Sequence, residues 1–122
     1  MKSNFQKLLV WQKSMTLVAE IYKATETFPA NEKFGLTSQM RRAAVSIPSN
    51  IVEGYERETK KDFANFLIIA KGSAGELETQ ILIALLLEYL PKEKSEVINL
   101  KIVEIKKMLT ALRKKILLTT NY

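Results

Sequence analysis

Four stretches of the chain repeat apolar residues every three or four positions, the spacing that lines up one face of an α-helix. The predicted helices run from about Leu8 to Thr27, Gly35 to Glu53, Thr59 to Leu90 and Lys92 to Thr119. Because the connections between them are short, neighbouring helices should run in opposite directions. The pattern therefore predicts an all-α protein, with residues 1–122 forming one antiparallel, up-down-up-down four-helix bundle.

The apolar stripes identify the residues that we expect in the core. On the first helix the stripe comprises Trp11, Met15, Val18, Ile21, Tyr22 and Thr25. On the second helix it comprises Leu36, Met40, Ala43, Ala44, Ile47, Ile51 and Tyr55. On the fourth helix the steps alternate between four and three residues, as in a coiled coil, through Ile98, Ile102, Ile105, Leu109, Leu112 and Ile116. Thr59, followed three residues later by Asp62, predicts an N-cap for the third helix.

Pro48 falls inside the second predicted helix. It cannot donate a hydrogen bond to the carbonyl of Ala44, and its ring crowds that carbonyl. If a new helix began at Pro48, Ile47 would be its N-cap, and isoleucine has no side-chain acceptor. We therefore predict one helix kinked at Pro48. Gly54 suits the C-terminal end of that helix, where a left-handed backbone is common.

Apolar residues outside these stripes indicate self-association. Residues 81–87, ILIALLL, are apolar on every face, and the fourth helix has Leu100, Val103, Ala111 and Leu118 outside its stripe. Gly72 and Gly75 each cost the third helix about 1 kcal/mol relative to alanine, which the close approach of another helix would offset. These features favour a homo-oligomer, and an unusually wide core is the alternative.

The net charge is +6, and nearly all of the excess lies in the last helix, where residues 101–122 carry six basic residues and one acidic residue. Basic surfaces attract phosphates without reading sequence. One basic stripe is predicted on the face opposite the core, comprising Lys106, Lys107, Arg113 and Lys114. A second patch is predicted near the 54–59 turn, comprising Arg41, Arg42, Arg57, Lys60 and Lys61. The alternative is that these cations complement the helix dipole and keep the protein in solution.

Other residue types narrow the function further. Without cysteine or histidine, the chain offers no disulfide, no zinc–thiolate site and no histidine base. The N-terminal MKSNFQKLLVWQK does not read as a signal peptide, and the longest apolar run, residues 81–87, is too short to span a membrane. We expect a cytoplasmic, non-catalytic protein with no cofactor. The aromatic residues Trp11, Tyr22, Phe63 and Phe66 fall on core stripes, which argues against a role in base stacking.

Three segments resemble the four-helix-bundle family encoded in intervening sequences of bacterial 23S rRNA genes. They are KLLVWQKSMTLVAEIYKAT, FPANEKFGLTSQMRRAAVSIPSNIVEGYER and FANFLIIAKGSAGELETQILIA, and the resemblance covers about residues 5–90. The chain departs from the family at Glu88, where members usually have a glycine, and at Val52, where an alanine is common. We expect Glu88 to stiffen the end of the third helix.

The resemblance implies a left-handed bundle that assembles into a ring-shaped homopentamer. The family is similar to the accessory variability determinant of diversity-generating retroelements, a basic pentamer that works with a reverse transcriptase and nucleic acid. No catalytic residue is implied. We therefore expect an accessory protein that binds RNA or DNA through its basic surface. The alternative is a structural or protein-interaction oligomer that binds no nucleic acid.

Overall fold

The computed structural model describes residues 4–118, and within them the chain forms four α-helices and no strand. Two short 3₁₀ helices, Asn4–Lys7 and Ala30–Glu32, precede the first and second α-helices. The α-helices are α1 (Leu9–Thr25), α2 (Leu36–Tyr55), α3 (Lys60–Leu86) and α4 (Lys92–Leu118). The prediction of an all-α protein with four helices is confirmed. The predicted last residue of the fourth helix, Thr119, lies outside the described residues.

The four helices enclose one apolar core. Helix α2 packs on α3, α3 packs on α4, and α1 contacts both α2 and α4. The stripe predicted for the fourth helix is buried at every position except Leu112, which packs against the edge of the core. The stripe predicted for the second helix is likewise buried up to Ile51, and Tyr55 is half-buried. None of the described helices is long and apolar enough to cross a membrane.

The stripe predicted for the first helix is displaced by one residue at four of its six positions, and Ile21 and Thr25 are buried as predicted. The face of α1 that is buried comprises Val10, Ser14, Leu17, Ile21, Ala24 and Thr25. Met15 and Tyr22 are instead exposed, and Trp11 and Val18 are half-buried. Ser14 conceals the true stripe because a serine breaks the apolar pattern. Inside the core, the Ser14 hydroxyl donates to the Val10 carbonyl at 2.7 Å, so that the buried hydroxyl of Ser14 is not left unpaired.

Helix α2 continues through Pro48 without a break, as predicted. Gly54 lies within the last turn of α2, and no glycine of the described chain has a positive φ. The predicted need for a left-handed glycine is therefore wrong. A Cβ atom added at Gly54 would lie 2.6 Å from the Phe66 Cβ and 3.2 Å from the Phe63 carbonyl oxygen. Gly54 is needed because α2 and α3 approach closely there.

Helix α3 begins as predicted and ends earlier than predicted. The Thr59 hydroxyl accepts a hydrogen bond from the Asp62 backbone N–H at 3.1 Å, which confirms the N-cap. The helix ends at Leu86, four residues before the predicted end. The reason is Glu88, whose φ of 62° reverses the chain. Glu88 therefore ends this helix and does not stiffen it.

Candidate nucleic-acid interface

A groove of about 440 Å³ runs between α3 and α4, and we call it the basic groove. Its cations come from both helices: Lys71 lies on α3, and Lys106 and Lys107 lie on α4. Lys114 is two turns beyond Lys107 and is also exposed. The sequence pattern did not reveal Lys71, because nothing in the sequence indicates which face of α3 borders α4.

The four basic residues predicted on α4 do not form one stripe opposite the core. Lys106 follows Ile102 by four positions and Arg113 follows Leu109 by four, which places both beside the core residues. Lys106 is half-buried, and its Nζ donates to Glu78 Oε1 of α3 at 2.9 Å. Only Lys107 and Lys114 point outward as predicted.

Arg113 is also half-buried, and its Nε is enclosed with no hydrogen-bond partner among the described residues. It lies on the same side of α4 as Lys106, seven residues further along. Arg113 and Lys106 therefore flank the core, whereas the exposed lysines remain available to a phosphate.

Arg41 holds two helices together. Its Nε donates to Thr25 Oγ1 at 2.9 Å, and its Nη2 donates to the Tyr22 carbonyl at 3.2 Å. The guanidinium also lies 4.6 Å from the centre of the Tyr22 ring, a cation–π contact. Arg41 is thus engaged with α1, whereas its neighbour Arg42 is exposed.

The predicted second patch is divided between the two ends of α2. Arg57 lies after the C-terminus of α2, donates to Glu53 Oε1 at 3.0 Å and covers the Phe66 ring at 4.9 Å. Lys60 and Lys61 begin α3 beside it. Arg42 lies 13 residues before Tyr55, the last residue of α2, and is therefore roughly 20 Å along the helix from that end at 1.5 Å per residue. The structure therefore does not bring Arg41 and Arg42 together with the other three.

A second groove, of about 560 Å³, lies between α2 and α3, and we call it the polar groove. Its lining residues are Phe34, Ser38, Gln39, Arg42, Ala43, Ser46, Ser73, Glu76 and Gln80. The Ser46 and Ser73 hydroxyls lie 2.8 Å apart and are hydrogen-bonded across the two helices, and Asn50 Nδ2 donates to Ser46 Oγ at 2.9 Å. Gln80 Oε1 is enclosed and has no hydrogen-bond partner among the described residues.

The polar groove opens beside an aromatic residue that the sequence pattern did not single out. Phe34 is 90 % exposed, the largest value among the large apolar residues of the described chain. The four aromatic residues assigned to the core are all in contact with the bundle, although Tyr22 is 42 % exposed under Arg41. Phe34 lies in a loop, where helical periodicity gives no information on burial.

Two further surfaces are apolar. One is a groove of about 430 Å³ between α1 and α2, lined by Phe5, Trp11, Met15, Val18, Val45, Pro48, Ser49 and Val52. The other is the outward face of α3, which we call the outer seam: Ile68, Gly72, Gly75, Thr79, Leu82 and Leu86. A Cβ atom added at Gly72 or Gly75 would meet no atom within 4 Å. Neither glycine is therefore explained by packing among the described residues of this chain.

Residues 4–118 contain no cluster of three or more carboxylates that could hold a metal ion. They form an all-helical domain whose grooves include one bordered by three lysines, one bordered mainly by polar and charged side chains, and one that is apolar. The class of protein defined by these features is a small basic helical-bundle protein.

The comparisons identify the family. A model of the 23S rRNA-intervening sequence protein family matches residues 6–111, and the chain belongs to that family. The chain is also similar to a protein of unknown function from the S23 ribosomal protein family of Bacteroides thetaiotaomicron, known from a crystal structure. The two are 31 % identical with a TM-score of 0.78, over 87 % of this chain and 99 % of the other. A search of curated proteins finds no match.

Proposed function

We propose that this protein is a cytoplasmic, non-catalytic homo-oligomer that binds the backbone of RNA or DNA through the basic groove, as an accessory factor of a ribonucleoprotein. The observation that carries the proposal is that Lys71 from α3 and Lys107 from α4 border one groove, with Lys114 exposed two turns beyond Lys107 on α4. Membership of a family named for 23S rRNA intervening sequences supports a role beside RNA.

The charges around the basic groove favour phosphate as the ligand. Lys106 is neutralised by Glu78, so its charge is already compensated within the protomer. None of Lys71, Lys107 and Lys114 forms a salt bridge with a described residue. Contact between these three uncompensated cations and the phosphates of a nucleic acid would release counterions from the nucleic acid, and that release favours binding.

Oligomerisation is supported by the outer seam. Its residues follow one another at intervals of four and three, the repeat with which helices pack in coiled coils. Leu86 at its end is 79 % exposed, and Leu82 is 52 % exposed. A second copy packed on this face would bury both leucines and use the space beside Gly72 and Gly75. The homopentamer and a reverse-transcriptase partner are predictions from the resemblance.

We also infer the finer topology: helices that run alternately up and down, in a left-handed bundle, with a kink at Pro48. Ser46 contacts Ser73 and Gly54 contacts Phe63, so residue numbers increase along α2 in the direction in which they decrease along α3. The same holds for the ion pairs Lys13–Glu104 and Lys101–Glu20, which join α1 and α4. An experimental structure with a straight axis through Pro48 would overturn the kink.

The test is fluorescence anisotropy of labelled RNA and DNA across a salt series. The quantity compared is the slope of the logarithm of the binding constant against the logarithm of salt concentration. The variant Lys71→Gln/Lys107→Gln/Lys114→Gln should reduce the magnitude of this slope by about 1 for each phosphate that the protein no longer neutralises. The matched control is Lys23→Gln/Lys92→Gln/Lys94→Gln, which removes three exposed charges elsewhere. We expect the control to bind more tightly than the triple groove variant. If the native protein binds neither nucleic acid at low salt, the proposed function is wrong.

The second candidate is a structural or protein-interaction oligomer that binds no nucleic acid. The apolar groove between α1 and α2 favours it, because this surface has few charges and would suit a protein. The same anisotropy series separates the two candidates. A native protein that assembles and yet fails to bind RNA or DNA at low salt would support the second.

A further inference from the structure

We propose that the polar groove between α2 and α3 binds an unpaired base of single-stranded nucleic acid, with Phe34 as the stacking surface. This inference rests on the proposed function and adds a class of ligand and a second binding surface to it. It assigns the basic groove to the backbone and the polar groove to a base.

Phe34 has the exposure that base stacking requires. Its ring is 90 % exposed, and the one ring contact it makes among the described residues is with its neighbour Lys33, whose Nζ lies 5.4 Å from the ring centre. A phenylalanine in this setting gains nothing from the core of its own protomer. Bases stack on such rings irrespective of their identity, and a nearby cation can attract the adjoining phosphate.

The loop that carries Phe34 is held in place. Glu32 Oε1 accepts from the Leu36 backbone N–H at 3.1 Å, and Glu32 Oε2 accepts from Tyr89 Oη at 2.9 Å. The Gly35 N–H donates to the Glu32 carbonyl at 3.0 Å. Glu32 thus ties the loop to the start of α2 and to the segment after α3. An aromatic surface fixed in this way loses little conformational freedom when a ligand binds.

The polar groups beside Phe34 suit the edge of a base better than a phosphate. Arg42 and Glu76 line the same groove with opposite charges, so their charges cancel for an approaching anion. Neither makes a hydrogen bond or salt bridge with another described residue. Gln80 adds an enclosed acceptor without a partner in the described part of the chain. Together they present donors and acceptors, as the Watson–Crick edge of an unpaired base requires.

The size and position of the groove agree with this ligand. Its volume of about 560 Å³ lies within the range of sites that hold small organic groups. In a duplex, the base edges are paired and the faces are stacked, so neither is available to Phe34 and the groove. The inference therefore predicts a preference for single strands, which the lysines of the basic groove alone would not produce.

The test uses the full chain and a single-stranded oligonucleotide that contains 2-aminopurine, with the same oligonucleotide in duplex form for comparison. We expect the native protein to change the fluorescence of 2-aminopurine in the single strand. Phe34→Leu keeps an apolar side chain and removes the aromatic ring. It should weaken single-strand binding by about 5- to 150-fold, the range for one lost base–aromatic stack, and leave duplex binding unchanged. Phe34→Trp should retain binding.

Each other outcome has a defined meaning. If Phe34→Leu binds single strands as tightly as the native protein does, this inference is wrong and the proposed function stands. Phe34→Leu could instead weaken binding to single strands and to duplex and also lower the mass of the assembly. In that case Phe34 packs between protein copies, and the inference is also wrong. If the native protein binds no nucleic acid at low salt, the proposed function fails and this inference fails with it. Circular dichroism of Phe34→Leu should match the native spectrum because the side chain lies outside the core.

Discussion

Helix α3 has two apolar seams, and they differ in what covers them. The inner seam is buried by the neighbouring helices and comprises Phe63, Leu67, Ala70, Ala74, Leu77, Ile81 and Ala84. The outer seam, from Ile68 to Leu86, repeats at the same intervals of four and three, and no other helix of this chain covers it. Periodicity therefore identifies the residues that share a face, and the two faces are told apart only by what packs on them.

The glycines beside the two seams have different physical causes. Gly54 faces α3, and its Cβ position is blocked at 2.6 Å by the Phe66 Cβ. Gly72 and Gly75 face outward, and no atom lies within 4 Å of either Cβ position. A glycine destabilises a helix relative to alanine, and where the space around the glycine is open, no closer packing offsets that cost. Packing within this chain therefore does not explain the outer pair, and the proposed homo-oligomer would explain it by a second copy that covers this surface at close range.

The largest expected effect comes from Gly54→Ala on the inner side. The new methyl group would press on a Cβ and a carbonyl oxygen of α3, and neither can move unless the helix backbone shifts. We expect the free energy of unfolding to fall by about 2–3 kcal/mol, the upper part of the range for overpacking. Urea denaturation monitored by circular dichroism measures it. A variant as stable as the native protein would refute the close approach of α2 to α3.

The outer side should respond in the opposite direction. Gly72→Ala/Gly75→Ala raises helix propensity by about 2 kcal/mol in total and causes no clash within one protomer. If a second copy packs closely there, the methyl groups should dissociate the assembly, which sedimentation velocity detects as a lower mass. Thr79→Ala is the control, since it alters the same seam without adding bulk. A native mass together with higher stability would show that no helix packs closely on these glycines.

Several features of the fold and the candidate site were predictable from the sequence because they depend on local pattern. The stripe of α4, the continuity of α2 through Pro48 and the Thr59 cap each follow from residues within one or two turns. The stripe of α1 was misassigned because the buried Ser14 pairs with its own helix and looks like a surface residue. Local pattern fails where a polar side chain is satisfied by its own backbone.

The grooves were not predictable, because each is formed between helices whose facing residues are distant in the sequence. Lys71 belongs with Lys107 only after α3 has packed on α4. The sequence predicts an outward-facing Lys106, but in the structure Lys106 forms an ion pair with Glu78 of α3. Phe34 lies in a loop, where no period applies. The sequence indicated an excess of cations on the last helix, and tertiary packing decided which of them remain available.

The smallest expected effect concerns Glu88, which follows the last residues of both seams of α3. Glu88 has a φ of 62°, and the backbone hydrogen bonds around it close the helix: Glu88 N–H donates to the Leu85 carbonyl at 3.0 Å and Tyr89 N–H to the Ala84 carbonyl at 2.8 Å. This is the Schellman arrangement, in which the left-handed position is usually a glycine. A side chain there costs about 1 kcal/mol because its Cβ approaches the following carbonyl oxygen.

Glu88→Gly should therefore raise the free energy of unfolding by about 1 kcal/mol, in spite of the greater freedom of glycine in the unfolded chain. Glu88→Asn should give a smaller gain because asparagine tolerates the left-handed region. Glu88→Ala removes the charge and keeps the strain, so it should leave stability nearly unchanged. Because none of these changes touches either seam, the assembly mass should stay constant across the series. A gain in Glu88→Ala equal to that in Glu88→Gly would assign the cost to the carboxylate and not to the backbone.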